Sequence, residues 1–156
     1  MNLVISLFFI LILVVLAIID FRRGVIPNKI VYPAVIVIVA IDIFAPGQGI
    51  VPAVLTGITL AGFLAVAGML QRRMGMGDIK LAFLIGLMTG LPSGFIALSL
   101  GIFLGGIAAI VLLVLKLKGR NDEMPYGPYL ASGAIIAILF NGAINIYIRA
   151  LTTPRL

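Results

Sequence analysis

Two aspartates, Asp20 and Asp78, are the residues of this chain best placed for acid–base chemistry. Each borders a long apolar stretch, where a carboxylate is costly and marks a functional site by default. The other acids are Asp42, Asp122 and Glu123. Because the chain has no histidine and no cysteine, thiolate and imidazole metal sites, cysteine nucleophiles and Ser-His-Asp hydrolysis are excluded.

Two carboxylates that share one proton can hydrolyse a peptide bond without a metal or a covalent nucleophile. One carboxylate takes a proton from water, while the other protonates the carbonyl or the leaving amine. Close like charges do not both ionise, so one group keeps its proton at neutral pH. We therefore predict that Asp20 and Asp78 form a catalytic dyad. The alternative is two separate interfacial acids, paired with Arg22, Arg23 or Lys80.

The sequence also suggests how this dyad divides its work. If the first apolar stretch is helical, Asp20 lies at its carboxyl end, where the helix dipole disfavours an anion. Asp78 lies near the start of the fourth predicted span, where the dipole of that helix and the charge of Lys80 favour an anion. This predicts that Asp20 carries the shared proton and Asp78 activates water. Arg22 and Arg23 argue against it, because a close guanidinium favours the Asp20 anion.

The hexapeptide Gly75-Met76-Gly77-Asp78-Ile79-Lys80 places two glycines beside the second aspartate. Without Cβ atoms, glycines let another segment of backbone come close. This favours a built site around Asp78. The alternative is an ordinary turn between two helices, with Asp78 as a helix N-cap.

The composition identifies an integral membrane protein. The 156 residues are 63% hydrophobic and only 10% charged, and the mean hydropathy is +1.31. The surface of a soluble domain with this composition would be one large apolar patch. We predict one all-α membrane domain over residues 1–156, with six transmembrane helices at 3–19, 30–44, 50–70, 79–88, 95–115 and 129–148.

The basic residues predict the orientation of these six spans. The two loops on the opposite side carry no basic residue. Nine basic residues fall in the three alternate loops: Arg22, Arg23, Lys29, Arg72, Arg73, Lys80, Lys116, Lys118 and Arg120. The positive-inside bias places these three loops in the cytoplasm and both termini outside. The net charge of +6 is thereby explained by topology and does not indicate nucleic-acid binding. Asp20 and Asp78 share the cytoplasmic border, whereas Asp42 is interpreted as interfacial near the outer border.

Several small and polar residues are interpreted as packing features. Gly86 with Gly90, and Gly101 with Gly105, have the four-residue spacing that lets membrane helices pack closely. Asn141 and Asn145 lie one turn apart and are predicted to form hydrogen bonds between helices.

Three stretches together resemble the type IV prepilin leader peptidases, which are membrane aspartyl proteases of the GxGD type. Asp20 is followed by a basic turn and by Ile26-Pro27-Asn28, similar to the first-aspartate region of that family. The hexapeptide around Asp78 matches the GxGDxK motif. The segment Pro125-Tyr126-Gly127-Pro128-Tyr129-Leu130-Ala131 is similar to the family's P-[FY]-G-P-[FY]-L-A segment. Their order and placement agree over essentially the whole chain.

The resemblance implies an endopeptidase of the prokaryotic cytoplasmic membrane, without a metal or other cofactor. It would cut the short basic leader from pilin-like precursors at the cytoplasmic face, after a glycine ahead of the hydrophobic helix. Asp20 and Asp78 would be catalytic, and Gly75 and Gly77 would shape the approach to Asp78. The remaining matched positions would be supporting, with no role specified: Pro27, Asn28, Lys80, Pro125, Gly127 and Pro128. The partners would be a prepilin and the lipid bilayer.

One departure and two alternatives accompany this resemblance. Many family members carry an N-terminal domain with paired cysteines that is associated with methylating the new pilin N-terminus. This chain starts at its first span and has no cysteine, so it resembles the short form of tight-adherence pilus systems or archaeal relatives, and we do not expect methyltransferase activity. The first alternative is a non-enzymatic transporter or ion-pathway subunit, although both acids lie at one border. The second is a presenilin-type protease, whose first-aspartate region nothing here resembles.

Overall fold

The computed structural model describes residues 3–44, 49–71, 75–117 and 124–152, with the backbone alone at 70–71 and 141–152. Within these residues the protein is all-helical, as predicted. Six helices follow one another: α1 (Leu3–Arg23), α2 (Asn28–Phe44), α3 (Ile50–Gln71), α4 (Met76–Thr89), α5 (Ser93–Val114) and α6 (Gly127–Thr152). They agree with the predicted spans to within a few residues at each end.

The ends of the helices near the two aspartates have identifiable causes. Helix α1 ends at Arg23, and the next residue, Gly24, adopts φ +63° and donates its N–H to the carbonyl of Asp20 at 2.7 Å. Such a left-handed glycine is a common helix terminator. Helix α2 begins after Pro27, whose carbonyl accepts the N–H of Ile30 at 3.1 Å. Four residues therefore suffice to turn the chain from α1 towards α2 (Gly24, Val25, Ile26 and Pro27).

Helices α4 and α6 form the middle of the bundle. Helix α6 packs against α1, α4 and α5, while α4 also packs against α3 and α2. Helix α4 is buried almost all around from Leu81 to its end, as its residues 84–89 are all buried. Helix α1 buries only one stripe, made of Phe9, Leu13, Leu16 and Asp20. Asp20 thus lies on the face of α1 that meets its neighbours.

The glycine pairs have different roles. A Cβ at Gly86 would lie 2.5 Å from the Cα of Gly57, so Gly86 lets α3 and α4 pack closely, as predicted. Gly101 also packs closely, because a Cβ there would lie 2.8 Å from the Cα of Leu130 in α6. The packing interpretation of Gly90 stays a prediction, and the structure shows another role for this residue. It caps the end of α4, with φ 60° and its N–H directed to the carbonyl of Gly86.

The membrane character is clear, while the full set of six spans stays a prediction. Among the described residues, three helices are long and apolar enough to cross a bilayer: Leu3–Arg23, Ile50–Met69 and Ser93–Val114. Helices α2 and α4 have 17 and 14 residues. Several sequence predictions lie outside the described residues or side chains, and they concern Arg72, Arg73, Lys118, Arg120, Asn141 and Asn145.

Candidate active site

Asp20 lies beneath the first turn of α6. Its side chain is only 4% exposed, and the backbone N–H of Gly127 donates a hydrogen bond to Asp20 Oδ2 at 3.0 Å. Gly127 is the first residue of the 26-residue helix α6. A helix N-terminus carries roughly half a positive charge and binds anions. The end of α6 therefore stabilises a negative charge on Asp20, whereas the burial of the side chain and its position near the carboxyl end of α1 act against that charge.

Gly127 is a tight steric fit against this carboxylate. A Cβ at Gly127 would lie 2.5 Å from Asp20 Oδ2 and 2.9 Å from its Cγ, so a larger residue would displace the side chain. The following turn also explains Pro128, because a proline is tolerated in the first turn of a helix, where its missing N–H leaves no hydrogen bond unmade. The carbonyl of Tyr126 accepts the N–H groups of Tyr129 and Leu130, each at 3.1 Å. The N–H of Gly127 thus meets Asp20 at the tip of α6.

Asp78 is held mainly by its own helix. Gly75 is the N-cap of α4, with φ −69° and ψ 144°, so Asp78 occupies the third helical position and is not the N-cap. Its carboxyl group accepts a hydrogen bond from the backbone of Gly75. This contact is the return half of a capping box, in which the third residue reaches back to the N-cap. Asp78 precedes the apolar stretch 79–88 and is partly buried.

The electrostatics of Asp78 connect it to Asp20. Burial and, to a smaller extent, the negative charge of Asp20 raise the pKa of Asp78 to about 6, and the hydrogen bond from Gly75 acts in the opposite direction. The structure therefore brings the two predicted catalytic aspartates close enough to interact. The hydrogen bond from Gly127 to Asp20 and the raised pKa of Asp78 support an anion on Asp20 and a proton on Asp78, although burial of Asp20 acts against its ionisation. This is the reverse of the division predicted above, because that argument considered α1 and α4 but not the end of α6.

The glycines and the lysine of the hexapeptide contact different neighbours. A Cβ at Gly77 would lie 3.1 Å from the Cβ of Ile26, so Gly77 lets the α1–α2 turn approach α4. A Cβ at Gly75 would find Asp78 Oδ2 only at 3.7 Å, an ordinary contact. Lys80, expected to influence Asp78, donates a hydrogen bond from Nζ to Asn28 Oδ1 at 2.7 Å.

Tyr126 lies at this site, although the sequence analysis assigned it no role. A Cβ at Gly105 of α5 would lie 2.8 Å from Tyr126 Cε1, so the absence of a side chain at Gly105 makes room for the ring. The ring also meets Tyr129 edge-on at 6.4 Å between centroids. Burial raises the pKa of Tyr126, and the charge of Asp78 adds to this. The only sequence signal was its position beside Gly127 in the third motif, where Pro125 occupies the irregular segment before α6.

Asp42, the one other acid among the described residues, does not join this site. Asp42 lies 14 residues beyond Asn28 in α2, roughly 20 Å along the helix, so it is out of reach of the pair, and its interfacial position stays a prediction. Asp122 and Glu123 lie outside the described residues. No group of three or more metal-ligating side chains occurs in the described part of the chain. The site that the structure assembles is therefore a carboxyl pair beside two helix N-termini.

The fold and site define an all-helical membrane protein with two interacting carboxyl groups at one end of the bundle. The chain belongs to the type IV leader peptidase family, whose sequence profile matches residues 7–110. The matched region includes both aspartates and the whole hexapeptide around Asp78.

Three bacterial relatives are each called prepilin leader peptidase/N-methyltransferase. The Bacillus subtilis protein is 27% identical over 90% of this chain and 58% of its own length. The Pseudomonas putida protein is 29% identical over 85% of this chain and 48% of its own length. The Aeromonas salmonicida protein is 36% identical over 46% of this chain and 25% of its own length. The chain thus spans about half the length of the first two relatives. No solved structure matches it.

Proposed function

We propose that this protein is an aspartyl endopeptidase that removes the short basic leader from type IV pilin-like precursors. The observation that carries the proposal is the electrostatic contact of Asp78 with Asp20 in a chain of the type IV leader peptidase family. The substrate class comes from the names of the relatives. The carboxyl pair supplies the two proton-transfer groups that peptide hydrolysis requires.

In the proposed mechanism Asp20 is the base and Asp78 is the acid. The Asp20 carboxylate takes a proton from water as the water oxygen attacks the scissile carbonyl carbon. Asp78 donates its proton to the carbonyl oxygen, which gives a neutral tetrahedral diol. Asp20 then protonates the leaving nitrogen, the C–N bond breaks, and one diol hydroxyl returns its proton to Asp78. The pair ends as it began, with one proton shared between two groups.

The surroundings of the two carboxyl groups support this division. The Gly127 N–H and the end of α6 stabilise the Asp20 anion. Burial and the charge of Asp20 raise the pKa of Asp78 to about 6, so Asp78 holds a proton at higher pH than an ordinary aspartate. A base must be ionised and an acid protonated in the resting enzyme, so each environment suits the role given to it.

We further propose that cleavage takes place at the cytoplasmic face, with both termini outside. The support is the distribution of basic residues among alternate loops. A reporter fused after Gly47 should be outside the cell, and one fused within residues 119–123 should be inside. The reverse result would place the dyad on the wrong side of the membrane for a basic leader.

The function is tested by co-expressing the protein with a prepilin whose basic leader ends in glycine ahead of an apolar helix. Loss of the leader, followed by gel mobility and N-terminal sequencing, should require both Asp20 and Asp78. The matched control is Asp42→Asn, which removes a carboxylate far from the pair and should leave cleavage intact. Equal cleavage by the wild type and by Asp78→Asn would refute the proposed protease.

The second activity in the relatives' names is not part of this proposal. The prediction from the cysteine-free sequence is that this chain does not methylate the new pilin N-terminus. Mass spectrometry of the product made in the co-expression experiment tests it, because each methyl group adds a defined mass. A methylated product that appears only with the active enzyme would contradict the prediction.

A further inference from the structure

The helices that carry Asp20 and Asp78, α1 and α4, are held relative to each other by other elements of the bundle. Helix α1 packs chiefly against α6, whereas α4 packs against α3, α6 and α2. The placement of Asp78 relative to Asp20 therefore depends on two connections. One is α6, whose first residue binds Asp20. The other is the turn that joins α1 to α2 and continues into the contact of α2 with α4.

The second connection is made by one pair of side chains and one close contact. Lys80, two residues after Asp78, donates from Nζ to Asn28 Oδ1 at 2.7 Å. The same Nζ lies 5.8 Å from the centre of the Tyr32 ring. Asn28 and Tyr32 are four residues apart and share a face of α2, so the ammonium bridges the first turns of α2 and α4. Beside it, buried Ile26 packs on Gly77.

We propose that Asn28 and Lys80 are positioning residues that hold the start of α4 against the α1–α2 turn and thereby set the separation of Asp78 from Asp20. We call this pair the Asn28–Lys80 clamp. A charge-assisted hydrogen bond is short and directional, but at an exposed border its net contribution to stability is small. The clamp therefore acts through geometry and not through stability. Misplacing a catalytic group by about 1 Å costs up to roughly 100-fold in rate.

The catalytic consequence of this inference rests on the proposed function, whereas the geometry can be measured without substrate. The chain has no cysteine, so two introduced cysteines can carry spin labels without background. Phe21 and Met76 neighbour the two aspartates and are 70% and 74% exposed. Pulsed electron resonance of the doubly labelled Phe21→Cys, Met76→Cys protein in nanodiscs then reports the separation of the two helix ends.

Asn28→Leu and Lys80→Met each remove the clamp while keeping a side chain of similar length. We expect the label distance distribution to shift or broaden in both. Asn28→Asp keeps an acceptor for the ammonium and should therefore show the same label distance distribution as the wild type. Lys29→Met is the matched control, because it removes a neighbouring exposed cation that is not part of the clamp, and it should change nothing.

The kinetic readout separates positioning from general damage. With a prepilin substrate, kcat should fall about 10- to 100-fold in Asn28→Leu and in Lys80→Met, with KM nearly unchanged. The double variant should be no slower than the slower single variant, because both changes remove the same contact. Asn28→Asp should recover most of kcat.

Unchanged label distances in both Asn28→Leu and Lys80→Met overturn the clamp, as does an equal effect of Lys29→Met. Failure of Asn28→Asp to restore the distances also overturns it. A different result is that the clamp variants shift the label distance while Asp20→Asn or Asp78→Asn still cleaves the prepilin. It supports the clamp as a structural contact and refutes the proposed dyad.

Discussion

Asp20 and Asp78 are the same residue type at the same end of the bundle, yet their surroundings differ in kind. Asp20 is held by a distant helix, through a hydrogen bond from Gly127, 107 residues away in sequence. Asp78 is held by the backbone of Gly75, three residues away. The first environment stabilises an anion by an external helix N-terminus, and the second raises a pKa by burial beside another charge.

This difference shows that a helix dipole argument depends on which helix is considered. Judged by its own helix, Asp20 lies at the unfavourable carboxyl end. Judged by the helix that meets it, Asp20 lies at a favourable amino end. The tertiary contact is the closer one and includes a direct hydrogen bond, so we expect it to decide the protonation of the pair.

The largest expected effect comes from removing either member of the pair. Asp20→Asn and Asp78→Asn should each lower prepilin cleavage by roughly 10²- to 10⁴-fold, the range that general acid–base groups contribute. Membrane insertion should be normal, because both changes keep the shape of the side chain. Quantitative immunoblotting of leader loss measures the effect. Near-wild-type cleavage by either variant would contradict the proposed pair, because at most one of the two aspartates would then be needed.

A smaller effect is expected from the glycines that contact the two carboxyl groups. Gly127→Ala should reduce cleavage about 10- to 100-fold, because the new Cβ would overlap Asp20 Oδ2. Gly75→Ala is the matched control and should stay within about twofold, because its Cβ would make only an ordinary contact with Asp78. Initial cleavage rates of purified enzyme measure both. Equal losses in the two variants would show that Asp20 is not the more tightly enclosed carboxylate.

A modest shift is expected at Tyr126, which reports on the charge of Asp78. Because that negative charge raises the pKa of Tyr126, Asp78→Asn should lower the pH at which this phenol ionises. Ultraviolet phenolate absorbance against pH measures the shift, and a Tyr126→Phe protein identifies the contribution of this tyrosine. An upward shift or none would place Asp78 away from Tyr126.

No effect is expected from removing metal ions. A chain without histidine or cysteine offers a two-carboxylate centre only poor affinity for transition metals. Cleavage rates should therefore be the same before and after dialysis against EDTA. If activity were lost in EDTA and restored by one specific metal, the two carboxylates would share a metal ion and not a proton.

The sequence predicted the helices and the two aspartates because both depend on local signals. Long apolar runs and the acids at their borders identify these features without any tertiary knowledge. The contacts of Asp20 with Gly127 and of Lys80 with Asn28 join residues 107 and 52 positions apart. No local pattern encodes such pairings, so the motif around Gly127 was recognised without its physical role. The acid–base assignment made from the sequence stays a prediction, and it left the Gly127 contact out for the same reason.

The central claim is that Asp78 carries the shared proton and that Asp20 raises its pKa. Infrared difference spectroscopy between low and high pH follows the protonated-carboxyl band in the wild type, Asp20→Asn and Asp78→Asn. We predict a wild-type band that titrates at about pH 6 and is absent in Asp78→Asn. In Asp20→Asn the band should remain and titrate at lower pH, because the charge that raised the pKa is gone. A band that is lost in Asp20→Asn and unchanged in Asp78→Asn would contradict this account.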